Sequence, residues 1–531
     1  MPSFSLIDQP WIPVRWRAGF TGPAEVGLAD LFLRAHEISD ITLPVPPAAS
    51  GLWRVLYLIT ARITGLDNPA GFDGLIAWKR ERRRLLTAGF FSPDAVHQYL
   101  AAHADAFDLF HPHRPWLQDA RLAVECAKST GINKLVSGRA TGNNLVWLSH
   151  HSDVAPQPVR AAEAAWYLLA WLYYGPSGKI TARTVGARTE SNMTAGPLRS
   201  RVSFHPLGPS LHESLVTGIP YPSADLTGRP DPDLAPWEDT TPSDPLGLPP
   251  TRGGLAGALA GQFRHALLLT PSADGTMVTD TRITWAWREP HAQAEDPYLI
   301  YETSKAKGLP YARYARRDRA IWRDLDALLL KETGSGKTRR PAIFSDLLDP
   351  SIGELLDRLR VRAFGFDQEG QAVDYQWFSA TTPPVLSIRG TSDGELAYEY
   401  DSEIGTAREA AERVAGDLKK ALQRAWSALS DPANGQGKGR TGGGDSPWLA
   451  PGLGRYWTGA EAAFWHMTSH PDEFDFPNNR FIRIALSAYE QATGHYAERG
   501  PRAARAIEKA RGSIFATWSR DEPYPAEDSD A

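Results

Sequence analysis

The sequence predicts an α+β protein, with a large mixed N-terminal domain over residues 1–392 and a C-terminal four-helix bundle over residues 393–531. Three observations predict it. The chain has 531 residues, more than one hydrophobic core supports, so two or more domains are expected. In the first three quarters, short strand-like runs alternate with helix-like ones. After about residue 395 the apolar residues settle into spacings of three and four, the seam of a packed helix.

Taken in order, Leu6-Ile7 and Trp11-Ile12-Pro13-Val14 predict a short strand pair around a proline turn. Leu52, Val55, Leu56 and Ile59 recur at helical spacing. Ala161 to Tyr174 is apolar nearly all round, which predicts a buried helix. The Pro-rich, acidic run from Tyr221 to Pro250 reads as a long irregular connection. Ala266–Leu269 and Arg282–Trp287 read as strands. Ile404, Ala407, Ala411, Val414, Leu418, Ala421, Ala425 and Leu429 form one seam of a long bundle helix. The Gly-rich tract Asn434–Gly444 reads as a flexible loop. Helical segments follow near 453–470, 478–493 and 501–519. Pro501 suits a first-turn position, and Ile507, Ile514 and Trp518 share a face.

Composition bounds the setting. The hydrophobic fraction of 42% and charged fraction of 22% are ordinary for a globular chain. Trp is abundant at 18 residues, which suits cores and interfaces with one wet edge. A single cysteine, Cys126, excludes an internal disulfide framework and any Cys-rich zinc site. The N-terminus shows no basic region leading into an apolar stretch, and no run of eighteen apolar residues occurs. No membrane partner is expected, and the expected location is the cytoplasm.

Charge points two ways. The net charge is −5, whereas a free-standing DNA-binding domain is usually basic. Locally, Tyr301 to Arg340 carries eleven Lys or Arg, among them Arg313, Arg316 and Arg317, against five Asp or Glu, with Tyr301, Tyr311, Tyr314 and Trp322 interleaved. Such a stretch suits a phosphate backbone, and it equally suits a solvated face.

Signatures of catalysis fail. Gly334-Ser335-Gly336-Lys337-Thr338 lacks the first glycine of a phosphate-binding loop, since Lys331 stands there and no clear strand precedes it. His111 and His113 are two apart and His150 and His151 adjacent, so neither pair sets two imidazoles on one helix face for a metal. No Gly-x-Ser-x-Gly elbow occurs. No catalytic residue, metal site or cofactor is expected. A hydrolase with an untraceable active site stays open, because triads assemble from distant residues.

Several segments, in order, resemble the CasA family, the large subunits of type I-E CRISPR surveillance complexes (Cascade). They are Leu6-Ile7-Asp8-Gln9-Pro10-Trp11-Ile12-Pro13-Val14, then Phe107-Asp108-Leu109-Phe110 with Arg114-Pro115-Trp116-Leu117-Gln118, then Trp322-Arg323-Asp324-Leu325, and last the terminal bundle. Trp116 departs from the family's Phe. The resemblance implies a non-catalytic subunit that reads a protospacer-adjacent motif (PAM) on double-stranded DNA and helps to open the duplex for guide RNA pairing. Its implied partners are target DNA, guide RNA with the other Cascade subunits, and a helicase–nuclease. A scaffold without DNA contact is the other reading.

The same resemblance implies three DNA-contacting parts. Phe364 to Ala372 looks like the wedge hairpin, with Gly370, Gln371 and Ala372 where the family tip reads Asn-Gln-Ala. Read on its own, that run is a polar β-turn. The minor-groove loop falls on Ser191, Asn192, Met193, Thr194, Ala195 and Gly196, with one glycine where better-known members are glycine-rich. A surface loop is the plain alternative. The basic finger falls between Met277 and Arg288, where Arg282 is the nearest candidate. Gly142 to Leu148 resembles a segment that docks on the guide end of the assembly, with Asn144 and Trp147 as contact candidates, and a core Trp147 is the alternative.

Overall fold

The computed structural model describes the chain outside residues 1, 69–70, 143–148, 223–231, 242, 250–252, 291–294, 305, 307, 330–337, 348–349, 369–373, 386–393, 431–445, 471–475 and 519–531. Its fold is α+β, with strands and helices mixed in one compact unit and, among the described residues, helices alone in a second. The first unit is Met1–Ile321 with Ala327–Gly390. The second is Thr391–Ala531 together with a short outlying segment, Trp322–Asp326.

The first unit opens on β1 (Ile12–Trp16), antiparallel to β2 (Glu25–Val26) and β3 (Ile38–Ile41). Leu6-Ile7 is a turn and not a strand: the Gln9 N–H closes on the Ser5 carbonyl at 2.8 Å. Pro10 lacks the N–H that a continuing ladder needs. The turn also gives the buried Trp11 indole its acceptor, the Leu6 carbonyl at 2.9 Å. The two N-terminal motifs lock together. Trp11 and Trp116 meet edge to face with centroids 5.5 Å apart, and the Asp108 carboxylate accepts the Phe4 N–H at 3.0 Å.

Helix α1 (Pro46–Thr64) starts on proline and ends at Gly65, whose φ of +73° is a left-handed cap. Its Leu52, Val55, Leu56 and Ile59 are fully buried, and the helix packs on α2 (Ala161–Tyr174), in which every residue but Glu163 and Tyr167 is buried. A hairpin follows, β4 (Gly178–Val185) and β5 (Arg188–Met193), turning through Gly186 at φ +58°. Then come β6 (Val202–Leu207), the hairpin β7 (His265–Pro271) and β8 (Met277–Trp285), and a small sheet of β9 (Tyr301–Thr303), β10 (Pro310–Ala312) and β11 (Thr338–Arg339). Last are β12 (Arg360–Gln368) and β13 (Asp374–Thr381), antiparallel to each other, with β6 on the free edge of β12.

The second unit is built from α3 (Gly394–Ser430), α4 (Leu449–Ser469), α5 (Pro477–Ala497) and α6 (Pro501–Arg511), followed by a 3-10 turn over Gly512–Thr517. The four helices pack on one another. Ile404 through Ala425 of the predicted seam are buried, while Leu429 at its end is half-buried. Ile507 and Ile514 are buried and Trp518 half-buried. Trp322 is fully buried here, with ring centroids 4.7 Å from Phe464 and 6.0 Å from Trp457. Beside it, Arg323 makes a two-pronged pair with Glu412 at 2.8 and 2.9 Å. Such a fork is the geometry in which an arginine holds a carboxylate best.

Candidate nucleic-acid interface

Three consecutive residues, Arg199–Arg201, gather parts that lie far apart in the sequence. The Ser200 N–H and hydroxyl donate to the Gln368 side-chain and main-chain carbonyls at 3.2 and 2.6 Å. Arg199 Nη2 donates to Asp374 at 2.8 Å and Nη1 to the Tyr174 carbonyl at 3.1 Å. The Ser200 carbonyl accepts the Ala315 N–H at 2.9 Å, and the Arg201 guanidinium lies 4.1 Å from the Tyr314 ring centre. The basic stretch, the base of the β12–β13 hairpin and the segment that follows Gly196 therefore share one surface of the first unit.

The β12–β13 hairpin is a long antiparallel ladder from Arg362↔Thr381 to Gln368↔Asp374. Gly370, Gln371 and Ala372 fall at its tip in sequence and lie outside the described residues. So do Asn144 and Trp147, and residues 331–337 of the glycine-lysine loop. Gly365 lies mid-strand because a Cβ there would meet the Phe378 ring at 2.1 Å.

The first half of the predicted minor-groove loop is strand. Ser191, Asn192 and Met193 belong to β5, with Lys179 opposite Asn192 and Gly178 opposite Met193. The β alternation then decides which side chains face out. Asn192 and Thr194 are exposed, Met193 and Gly196 are buried, and Ser191 and Ala195 are half-buried. Gly196 serves packing: a Cβ there would lie 2.6 Å from the Tyr173 carbonyl oxygen, and its N–H bonds to the Gly175 carbonyl at 2.9 Å. The contacted atom is helix backbone and cannot yield. Gly196→Ala is expected to destabilise the first unit by roughly 1–3 kcal/mol, as overpacking does. A thermal midpoint equal to wild type would contradict this.

Arginines underpin this edge. Arg288 Nη1 donates to the Asn192 carbonyl at 2.8 Å and Arg264 Nη1 to the Ala195 carbonyl at 3.1 Å. Burial lowers the pKa of Arg264 and, against the pull of Asp374, that of Arg199. Guanidinium groups stay protonated regardless. Lys179 is exposed across from Asn192. These residues set positive charge behind and beside Asn192 and Thr194. Neither Lys179 nor Arg264 carries a sequence signal, because cross-strand register and tertiary folding alone bring them in.

Arg282, the finger candidate, lies within a strand. It sits mid-strand on β8 opposite Leu268, and its Nε points to the Cys126 carbonyl at 3.4 Å. Within the same span, Arg288 is the arginine that reaches β5. The three phosphate candidates also separate. Arg313 is turned inward to Glu302 at 2.8 Å with its side chain 16% exposed, so it is a structural ion pair. Arg316 is exposed and paired with Asp318 at 2.7 Å. Arg317 is exposed, its N–H donates to Asp367 at 3.1 Å, and its guanidinium lies 4.8 Å from the Tyr375 ring centre, both on the hairpin. A guanidinium so placed is attracted by the ring face.

Elsewhere in the first unit, a cleft of about 720 Å³ lies beside His113, Arg114, Gln118 and Trp237. Its arginines are turned to the Trp237 carbonyl and to Asp119, at 3.0 and 2.8 Å. His111 is a turn residue whose Nδ1 accepts the Arg114 N–H at 3.0 Å. A serine–histidine pair does occur: Ser203 Oγ lies 3.0 Å from His205 Nε2. Both residues are 1% exposed, with Ser50 and Tyr57 of α1 packed on them, so they hold α1 to β6.

Comparison with known proteins agrees across the length. The family model described as CRISPR-associated protein Cse1 matches residues 5–491. A CasA/Cse1 protein of Thermus thermophilus is 28% identical over 443 residues, covering 78% of this chain and 80% of that one. A chain in the structure of a CRISPR RNA-guided surveillance complex is 46% identical with a TM-score of 0.85, covering 97% of this chain and all of its own. The crystal structure of Thermobifida fusca Cse1, at 19% identity, has the same fold with a TM-score of 0.74, covering 97% of this chain and 98% of its own.

Proposed function

This chain belongs to the CRISPR-associated Cse1 family, and on that premise we propose that it is the large, non-catalytic subunit of a CRISPR RNA-guided surveillance complex. It reads a protospacer-adjacent motif on double-stranded DNA and starts the opening of the duplex for guide RNA pairing. A complex that delegates sequence to base pairing still needs a place where unpairing begins. An inserted side chain lowers the cost of opening at one base step.

One observation carries the reading. The Arg316–Arg317 segment and the stem of the β12–β13 hairpin meet around Arg199–Arg201, a segment that follows the exposed Asn192 and Thr194 by a few residues through the packed Gly196. Asn192 and Thr194 offer neutral hydrogen-bonding groups of the kind that suit minor-groove acceptors. Arg317, Arg316 and Lys179 offer charge to the phosphates on either side. Gln371 at the hairpin tip is the wedge. Asn144 and Trp147 dock on the guide end of the assembly, and the helical bundle helps to place the displaced strand and recruit the helicase–nuclease. No chemistry and no cofactor are assigned to the chain.

The test is reassembly of the complex with and without this chain. Without it, binding to a complementary single strand persists, while capture of the matched duplex falls about a hundredfold, the equivalent of roughly 2.8 kcal/mol of opening assistance. Equal capture of duplex target by both assemblies would overturn the reading.

A further inference from the structure

We infer that Arg199, Ser200, Gln368 and Asp374 form a latch that fixes the hairpin tip relative to the Asn192–Thr194 edge, so that motif reading and duplex opening act as one event. The inference rests on the reading of Gln371 as the wedge. The geometry places the latch where a hinge would otherwise lie. β6 pairs with β12 from Arg360 to Gly365, and past it the Phe366 N–H bonds only to the Arg201 carbonyl at 3.4 Å, so the hairpin runs beyond its neighbouring strand. At that point the ladder slips: Asp367 pairs with Gln376 but Gln368 with Asp374, leaving Tyr375 as the extra residue of a bulge. A bulge re-aims the side chains beside it. Here Tyr375 goes to Arg317 and Asp374 goes to Arg199.

Both strand ends are tied to each other and to the edge. Gln368 Nε2 donates to Asp374 Oδ1 at 3.1 Å, the same oxygen that takes Arg199 Nη2. Gln368 accepts twice from Ser200. Arg199 is 3% exposed at its side chain, and Gln368 is buried. Ser200 holds φ at +61°, a left-handed conformation that an L-residue keeps only where its surroundings over-determine it. Four residues before Ser200 stands Gly196, clamped against the Tyr173 carbonyl. The Arg199–Ser200 segment, fixed at one end by this clamp and at the other by Gln368 and Asp374, thereby ties the groove-facing edge to the residues that flank positions 369–373. The four residues are positioning residues and none needs to touch DNA.

The experiment is a double-mutant cycle in the fully assembled complex, using Asp374→Ala, Gln371→Ala and the pair. Binding is measured on matched duplex and on a target already opened beside the motif. Asp374 is about half exposed but its partner Arg199 is buried, so the thermal midpoint of each variant is measured alongside binding, and a binding loss is read only from variants that melt as wild type does. Asp374→Ala is expected to weaken duplex capture about tenfold, to spare the opened target, and to add little to Gln371→Ala, because coupled residues are not additive. Gln368→Ala, which removes the acceptor for Ser200 and the donor to Asp374, repeats the pattern. Losses that multiply in the pair, or fall equally on both targets, overturn the latch. A duplex-specific loss from Gln371→Ala with none from Asp374→Ala or Gln368→Ala overturns the latch and leaves the wedge standing. No duplex-specific loss from Gln371→Ala removes the wedge reading and the latch with it.

Discussion

Leu418→Asp is expected to unfold the helical bundle. Leu418 is fully buried in the middle of α3, with Val414 and Ala421 buried one turn away on either side. A carboxylate there has no water and no partner, and the methyl contacts of leucine are lost with it. The cost is on the order of 4 kcal/mol, at the high end for one substitution. At roughly 4 °C per kcal/mol for a unit of this size, the bundle's thermal midpoint falls by about 15 °C, read by helical circular dichroism. Leu429→Asp is the control. It lies on the same seam but is half-buried at the helix end, and its midpoint should move by a small fraction of that. Trp322→Ala probes the same core from outside the continuous C-terminal sequence. Its indole fills space against Phe464 and Trp457, and deletion of such a side chain costs about 3–5 kcal/mol. A melting curve unchanged by Trp322→Ala would mean that the 322–326 segment does not belong to the bundle.

That segment shows where sequence reading stops. The α3 seam was legible because a helix repeats every 3.6 residues, so burial writes itself into spacing. Ala161–Tyr174 was legible because it is apolar on every face. Trp322 carries no such periodic mark. Its place in the bundle core, beside an Arg323 whose partner Glu412 stands 89 residues further along the chain, depends on groups that only folding brings near. The assignment of Ser191–Met193 to a loop failed for a related reason. Small polar residues favour turns locally, but the hairpin register with Gly178 and Lys179 overrides that preference.

The candidate interface was legible in its parts and not in its arrangement. The basic stretch stands out in the sequence, and the hairpin is marked only by the family resemblance. Their junction at Arg199–Arg201 is marked by neither, since a left-handed Ser200 has no signature beyond its neighbours. Charge was the least transferable signal. Arg313 and Arg317 are equivalent on paper, yet one is consumed by Glu302 and the other lies exposed over Tyr375. Likewise Arg282 and Arg288 stand six residues apart in one span, yet one bonds to the Cys126 carbonyl and the other to the Asn192 carbonyl.

Gln371→Ala is the sharpest test of the proposed function, because its effect depends on the target and not only on the protein. Opening the first base step costs a few kcal/mol, and a side chain inserted beside the motif offsets part of that. Loss of the offset weakens duplex capture by about tenfold for each 1.4 kcal/mol. A target that is already single-stranded needs no opening, so its binding should match wild type, as should assembly of the variant with the guide complex. Salt separates this effect from simple charge attraction. Gln371 is neutral, so its loss should hold across salt concentrations. Arg317→Ala should instead show a loss that shrinks as salt rises, with a binding slope shallower by about one counterion. The measurement is titration of matched duplex and single-stranded targets at several salt concentrations. Equal loss on both targets would make Gln371 an ordinary turn residue and take the hairpin out of duplex opening.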